Sequence, residues 1–359
     1  MPGPAENILV RGVNWLGDAI MTAPALTRLR EARPQARITL FSPQKLAGLW
    51  ERQPFIDEVL TFPPDATVWQ AGRLLRGKGF TVGVAFPNSV RSALELWLAK
   101  IPVRIGIGRG LFLTQPLAPR PDAIKMRKRT AGEVQKRIRE RSRPEIVPPE
   151  AHHVRHYLHL VGALGASIKP LTPRIEVGPE AMEHVRGKFG LGRLDGQPWF
   201  GLNAGAEYGP AKRWPAERFI EAALELRKKT NCRWVIFGGS DEIDLAAKIT
   251  REVGEPVLNL AGKTNLRELA AALKICDLVL TNDTGPMHLA CAVGARIVAI
   301  FGSTSPELTG PIFSSRARII RHPVPCAPCF LRECPIDLRC LRGISPDQVV
   351  AAALEHLRA

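Results

Sequence analysis

Several features missing from this chain narrow its role. No Asp-x-Asp pair occurs in its 359 residues, which disfavours a nucleotide-sugar transferase that chelates a metal through such a pair. No apolar run reaches the ~18–20 residues needed to span a bilayer. The opening stretch Met1-Pro2-Gly3-Pro4-Ala5-Glu6-Asn7 has no basic n-region and no signal-like apolar core, so a cytoplasmic protein is expected. Aromatic residues are few, at 6%. Acidic residues are outnumbered as well: 34 Asp and Glu stand against 50 Lys and Arg, a formal charge of +16.

What is present is 45% hydrophobic and 23% charged, the balance of a soluble globular protein, with length enough for two ordinary domains. The charge is uneven along the chain. Residues 1–180 hold 27 Lys and Arg against 15 Asp and Glu. Much of that excess lies between Arg120 and Arg143, with 10 basic and 3 acidic residues. Such a run is either a solvated helix face or a surface for something anionic: nucleic acid, a membrane or an acidic substrate. No aromatic residue is interleaved in it, which disfavours a groove for single-stranded nucleic acid. No helix-turn-helix, RRM or zinc-finger pattern supports a nucleic-acid-binding protein either.

The rest of the chain alternates short apolar runs with helical patterns. Ile8-Leu9-Val10, Ile38–Phe41, Glu58–Leu60, Thr81–Phe86 and Val103–Gly106 read as strands in the first half. Pro198–Leu202, Trp234–Phe237, Val257–Leu260, Asp277–Leu280 and Ile297–Phe301 read as strands in the second. This rhythm predicts parallel sheets wrapped by helices. The proline-rich stretch Pro170–Pro179 reads as a linker. The division expected is therefore 1–179, 180–345 and a closing helix, 346–359. A helix near Ala151–Leu164 carries His152, His153, His156 and His159; no carboxylate or cysteine joins them, and a surface face is the reading preferred to a metal site. The glycine runs Gly72–Gly79 and Gly106–Gly110 are discounted. The first lacks the Ser/Thr of a P-loop, and the second misses the dinucleotide spacing.

Three loops, each after a strand, carry chemistry. Ligands of open α/β folds bind at the carboxyl ends of strands. Gly17-Asp18 follows the first strand, and Asp18 is either a helix N-cap or a base. Lys212-Arg213-Trp214-Pro215 ends a long loop after a strand, where two cations can neutralise a diphosphate. Thr281-Asn282-Asp283-Thr284-Gly285-Pro286-Met287-His288 opens a helix of small residues, whose free N–H groups suit phosphate. Thr284, Gly285 and His288 are placed to reach phosphate oxygens there, and Asp283 to cap the helix or bond a sugar hydroxyl. Seven cysteines in a cytosolic setting argue against a disulfide framework. Cys232, Cys276 and Cys291 read as core. Cys326, Cys329, Cys334 and Cys340 cluster among prolines at a spacing that matches no standard zinc knuckle, which leaves metal binding open.

With these loops in hand the chain resembles the ADP-heptose:lipopolysaccharide heptosyltransferases, glycosyltransferase family nine, and is most similar to the heptosyltransferase II pattern. The carrying residues are Trp15-Leu16-Gly17-Asp18, Pro87-Asn88-Ser89-Val90-Arg91-Ser92-Ala93-Leu94, Gly205 through Pro215, and Thr281 through His288. Ala204 departs from the proline that the family often has there. The resemblance implies an α/β GT-B fold, two Rossmann-like domains facing a central cleft, with the acceptor in the N-terminal domain and ADP-heptose in the C-terminal one. It implies that the final helix packs back on the N-terminal domain. The reaction implied is inverting and needs neither metal nor cofactor: a heptose passes to the first heptose of the lipopolysaccharide inner core. Heptosyltransferase I or III activity, or another sugar, is the alternative. Residue by residue, the resemblance makes Asp18 the general base. Lys212, Glu242, Asp283, Thr284, Gly285 and His288 become donor ligands, and Asn14, Ser89 and Arg91 fall on the acceptor side. The implied partners are ADP-heptose and a lipopolysaccharide core/lipid A acceptor. Peripheral association with the inner face of the cytoplasmic membrane is expected, and no nucleic acid.

Overall fold

The computed structural model describes residues 6–108, 110–124, 126–192 and 196–358. Outside them lie Met1–Ala5, on which the leader reading partly rests, Arg109 of a discounted glycine run and Lys125 of the basic run. The chain forms two compact units, Met1–Ala123 with Glu150–Glu176 and Ile124–Pro149 with Val177–Ala359.

The first unit is built on six parallel strands: β1 (Asn7–Arg11), β2 (Arg37–Pro43), β3 (Glu58–Phe62), β4 (Val82–Ala85), β5 (Val103–Ile107) and β6 (Gln115–Leu117). Their order is β3-β2-β1-β4-β5-β6. The second unit repeats the plan with β7 (Trp199–Asn203), β8 (Arg233–Ile236), β9 (Val257–Asn259), β10 (Leu278–Asn282), β11 (Ile297–Phe301) and β12 (Ala317–Arg321), ordered β12-β11-β10-β7-β8-β9. Helices cover both faces of such sheets, so the central strands read as unbroken apolar runs. β7, β10 and β11 are buried at every residue. Each order reverses beside its first strand, between β1 and β4 in one sheet and between β7 and β10 in the other. Those two switch points are where a doubly wound sheet opens a crevice for ligand. These are the two Rossmann-like domains of a GT-B fold.

The unit boundaries depart from the division read off the sequence. The segment Ile124–Pro149 belongs to the second unit, because its helix Ala131–Arg139 turns Val134 and Ile138, one turn apart, into that unit's core. Two backbone ties hold it: Arg129 N–H donates to the Cys329 carbonyl at 3.0 Å, and Arg137 Nε donates to that of Pro325 at 2.7 Å. With this segment reassigned, the charge asymmetry of the linear sequence disappears. The first unit holds 18 Lys and Arg against 11 Asp and Glu, the second 32 against 23.

The closing helix Pro346–Arg358 also corrects an expectation. It packs in the second unit, against helix Ala216–Thr230, β11 and β12. Val349, Val350 and Ala353 form the apolar stripe that is buried there. The four histidines are not a solvated face. His152 is 1% exposed and its Nδ1 accepts from the Val154 N–H, capping helix His153–Gly162. Burial holds His153 down at about 4 and also lowers His156. Among the described residues no group of three or more His, Cys, Asp or Glu is arranged to hold a metal ion.

Candidate active site

In the second unit, the strands on either side of the switch point end in asparagines that sequence reasoning passed over. Asn203 closes β7 and Asn282 closes β10, at 1% and 0% exposure. A buried amide must find partners or cost stability. Asn282 Nδ2 donates to the carbonyls of Ala204 at 2.7 Å and Gly205 at 3.3 Å, while its Oδ1 accepts from the Trp214 N–H at 3.0 Å. One side chain thus clamps both ends of the loop that carries Lys212. Asn203 Nδ2 donates to Thr284 Oγ1 at 3.2 Å. Thr284 is the N-cap of helix Gly285–Ala292 and accepts from the Met287 N–H at 3.5 Å.

Lys212 Nζ lies 2.6 Å from Asp283 Oδ2, and Thr304 Oγ1 donates to the same oxygen at 2.6 Å. The pair is sheltered, with side chains 16% and 4% exposed. Burial is the largest influence on Asp283 and pushes its carboxyl upward. The Lys212 charge, the hydrogen bonds from Lys212 and Thr304, and His288 together outweigh it and hold the carboxyl below its ordinary value. Asp283 is therefore an anchor that orients Lys212. An ammonium has three donors, so one spent on Asp283 leaves others for a phosphate oxygen beside the amide end of helix Gly285–Ala292.

Tyr208, also missed, stacks beneath the cations. Lys212 Nζ lies 5.0 Å and the Arg332 guanidinium 5.3 Å from its ring centroid, and its hydroxyl donates to the Phe330 carbonyl at 2.7 Å. Two glycines of this loop leave room for neighbours, and Gly209 is required for its backbone. A Cβ on Gly205 would sit 1.8 Å from Glu242 Oε1. Gly209, at φ +147°, would meet the Arg332 carbonyl at 2.6 Å. Glu242 Oε2 accepts from the Gly239 N–H at 3.0 Å. The predicted donor residues Lys212, Glu242, Asp283, Thr284, Gly285 and His288 thus gather at the ends of β7, β8 and β10. Buried polar residues ending apolar strands were the signal for Asn203 and Asn282. Nothing local marked Thr304 or Arg332.

In the first unit the corresponding switch point holds Asp18, Asn14, Ser89 and Arg91. Asp18 is the third residue of helix Leu16–Ala32, whose N-cap position belongs to Trp15, so the capping reading of Asp18 is set aside. It is partly exposed. The phenol of buried Tyr157 is pushed well above its ordinary value, first by burial and then by the negative charge of Asp18. Beneath the loop lies an ion triad. Arg11 Nε meets Glu95 Oε2 at 2.8 Å, Arg91 Nε meets Glu95 Oε1 at 2.9 Å, and Arg11 Nη1 donates to Asn14 Oδ1 at 3.0 Å. Arg11 and Glu95 are 2% and 0% exposed. Ser89 caps helix Val90–Leu98 by accepting from the Ser92 N–H at 3.2 Å.

The cysteine cluster stands apart. Cys326, Cys329 and Cys340 are buried in the second core. Cys340 is pushed up to about 12, first by burial and then by Cys326, Cys329 and Cys334.

Known proteins resemble this chain in sequence and fold. The profile of glycosyltransferase family 9 (heptosyltransferase) matches residues 118–339. Lipopolysaccharide heptosyltransferase 2 of Escherichia coli is 30% identical over 331 residues, covering 88% of this chain and 87% of that protein. Among solved structures, E. coli ADP-heptose lps heptosyltransferase II superposes with a TM-score of 0.76 at 27% identity, covering 98% of each chain. A glycosyl transferase family 9 protein from Veillonella parvula gives 0.78 at 25% identity, over 100% of this chain and 99% of that one. With a family profile spanning most of its length and relatives aligned nearly end to end, this chain belongs to glycosyltransferase family 9, the heptosyltransferases.

Proposed function

We propose that the protein transfers a heptose from ADP-heptose to the first heptose of a lipopolysaccharide inner core, with inversion at the anomeric carbon and without a metal. One observation carries the reading: Lys212, anchored by Asp283 and Thr304, stands beside the amide end of helix Gly285–Ala292 at a sheet switch point. A cation and helix amides converging there form a diphosphate site whose charge comes from a lysine. The names of the relatives, lipopolysaccharide heptosyltransferase 2 and ADP-heptose lps heptosyltransferase II, supply the donor and acceptor class.

In this mechanism an acceptor hydroxyl oxygen attacks the anomeric carbon as the bond from that carbon to the diphosphate breaks. Asp18 takes the hydroxyl proton. Its place in the first turn of a helix favours a negative charge there. Lys212 and the helix amides bind the ADP that leaves, while Glu242 and His288 line the donor site. Asn14, Ser89 and Arg91 shape the acceptor side, with Glu95 holding Arg91 and Arg11 in place. No helix among the described residues is long and apolar enough to cross a membrane. The same reading includes peripheral association with the inner face of the cytoplasmic membrane.

The test is product analysis by mass spectrometry with ADP-heptose and defined core acceptors. A single heptose added to the first core heptose is expected. Addition only to an acceptor that lacks heptose would reassign the protein within the family. Asp18→Asn should lower kcat by roughly 10²–10⁴-fold while ADP affinity stays near that of the parent. Turnover at the parent rate would remove Asp18 as base.

A further inference from the structure

The basic segment that joined the second unit encloses a cavity of about 890 Å³, separate from the Lys212–Asp283 pair. Five cations line it, Arg127, Lys128, Arg129, Lys136 and Arg137, against three carboxylates, Glu133, Glu140 and Glu145. The carboxylates are engaged: Glu133 with Arg127 at 2.6 Å, Glu140 with Lys136 at 3.9 Å, and Glu145 with Arg129. Arg137 spends its hydrogen bonds on the carbonyls of Pro325 and Arg143. Among the described residues, neither Lys128 nor Arg137 pairs with a carboxylate, so the cavity keeps a positive excess.

Two further features show that this is more than surface charge. Arg129 is only 8% exposed, and its Nη1 has no hydrogen-bond partner. A buried guanidinium donor without an acceptor is costly, so Arg129, held by Glu145 through its other nitrogen, keeps an unspent donor in the cavity wall. Apart from Ser142 the remaining walls are apolar: Ile124 and Met126, 37% and 42% exposed, with Val147, Leu308, Pro328 and Phe330. A purely inorganic anion has no use for them.

We propose that this cavity binds a phosphomonoester carried on an acylated or otherwise apolar body. Arg129 and Lys128 take the phosphate, Arg137 adds its charge while it stays bonded to the Pro325 and Arg143 carbonyls, and Ile124, Met126 and Phe330 take the apolar part. The cavity adjoins the donor site through one ring: Lys128 Nζ lies 5.8 Å from the Tyr208 centroid that Lys212 also faces. Two sources present this chemistry, a phosphate on the lipid-linked acceptor or a phosphatidate in the membrane. The acceptor source rests on the heptosyl-transfer reading; the binding site does not.

The test measures, by calorimetry on the full chain, affinity for dihexanoyl phosphatidic acid, dihexanoyl phosphatidylcholine and inorganic phosphate. The phosphatidic acid should bind at least tenfold tighter than either of the others. Lys128→Gln/Arg137→Gln, which removes the two lining cations that have no carboxylate partner, should weaken it about tenfold, and Arg129→Lys, which keeps the charge but loses the fork, several-fold. ADP affinity on the same samples reports that the second unit is folded. Equal affinity for phosphatidic acid and inorganic phosphate overturns the proposal, as does a change under twofold in the double variant. Turnover with phosphorylated and phosphatase-treated core acceptors then separates the sources: a KM ratio that collapses in the double variant assigns the acceptor, and an unchanged ratio assigns the membrane lipid. If no core acceptor is turned over while phosphatidic acid still binds, the functional reading falls and the site stands.

Discussion

Replacing Lys212 by methionine tests the centre of the proposed donor site, because it removes the cation while keeping the length of the side chain. Asp283 would then be a carboxylate at 4% exposure with only Thr304 and His288 to oppose burial. Breaking a buried pair from one side costs ~3–5 kcal/mol. At ~2–4 °C per kcal/mol for a domain of this size, the midpoint of thermal unfolding should fall by roughly 6–20 °C at neutral pH. The pH dependence should change sign as well. In the parent the Asp283 carboxyl is held below its ordinary 3.8. Its contribution is thus fully present above that value and is lost only as pH falls through the lower folded value. In Lys212→Met the upward push of burial loses its main opponent, so the folded value rises above the unfolded one. The penalty then grows as pH climbs from about 4, and the variant should gain midpoint on acidification from pH 7.5 to 5 while the parent does not. Lys212→Met/Asp283→Asn should recover most of the lost stability, because neither charge is left alone. It should not recover ADP binding, which loses a charge-assisted contact of ~1.5–3 kcal/mol, about 10- to 100-fold in Kd. Differential scanning calorimetry across pH and ADP titration read both. A Lys212→Met profile parallel to the parent, or a double variant no more stable than the single one, would refute the anchoring argument.

Other variants test the remaining supports. Gly205→Ala places a methyl 1.8 Å from Glu242 Oε1 and should cost ~1–3 kcal/mol as an overpacked contact, with weaker ADP binding. Adding Glu242→Ala should restore the unfolding midpoint, and failure to do so would mean the glycine is needed for its backbone alone. Glu95→Ala leaves Arg11, 2% exposed, without its carboxylate and should cost ~3–5 kcal/mol in thermal unfolding. A loss under 1 kcal/mol would show that Asn14 and the Gly12 carbonyl, which also accepts from Arg11 Nη1, satisfy Arg11 unaided.

The alternation of strands and helices was legible because strands buried on both faces leave no choice of residue: Ile297–Phe301 is apolar throughout. The site loops were legible because each combines glycine with a charged residue just after such a run. Thr304 and Arg332 were not legible, since each reaches the Lys212 loop from a segment distant in sequence, Thr304 from just after β11 and Arg332 from an irregular stretch. The histidines of helix His153–Gly162 misled for a related reason. His152 caps that helix from a buried position, which no local pattern reports.

What the sequence alone determined is the period of its elements, the position of the turns that follow its strands and the residue types they carry, because those depend on neighbours along the chain. The tertiary structure decided which unit each segment joins. Val134 and Ile138 pack into the second core, and that assignment turned an apparent N-terminal excess of charge into a lined cavity in the second unit. It also decided what each charge does: Asp283 became the anchor of Lys212, and Glu95 the anchor of Arg11 and Arg91. A charged side chain removed from water must find a partner, and that partner is chosen by distance in space, not by spacing in sequence.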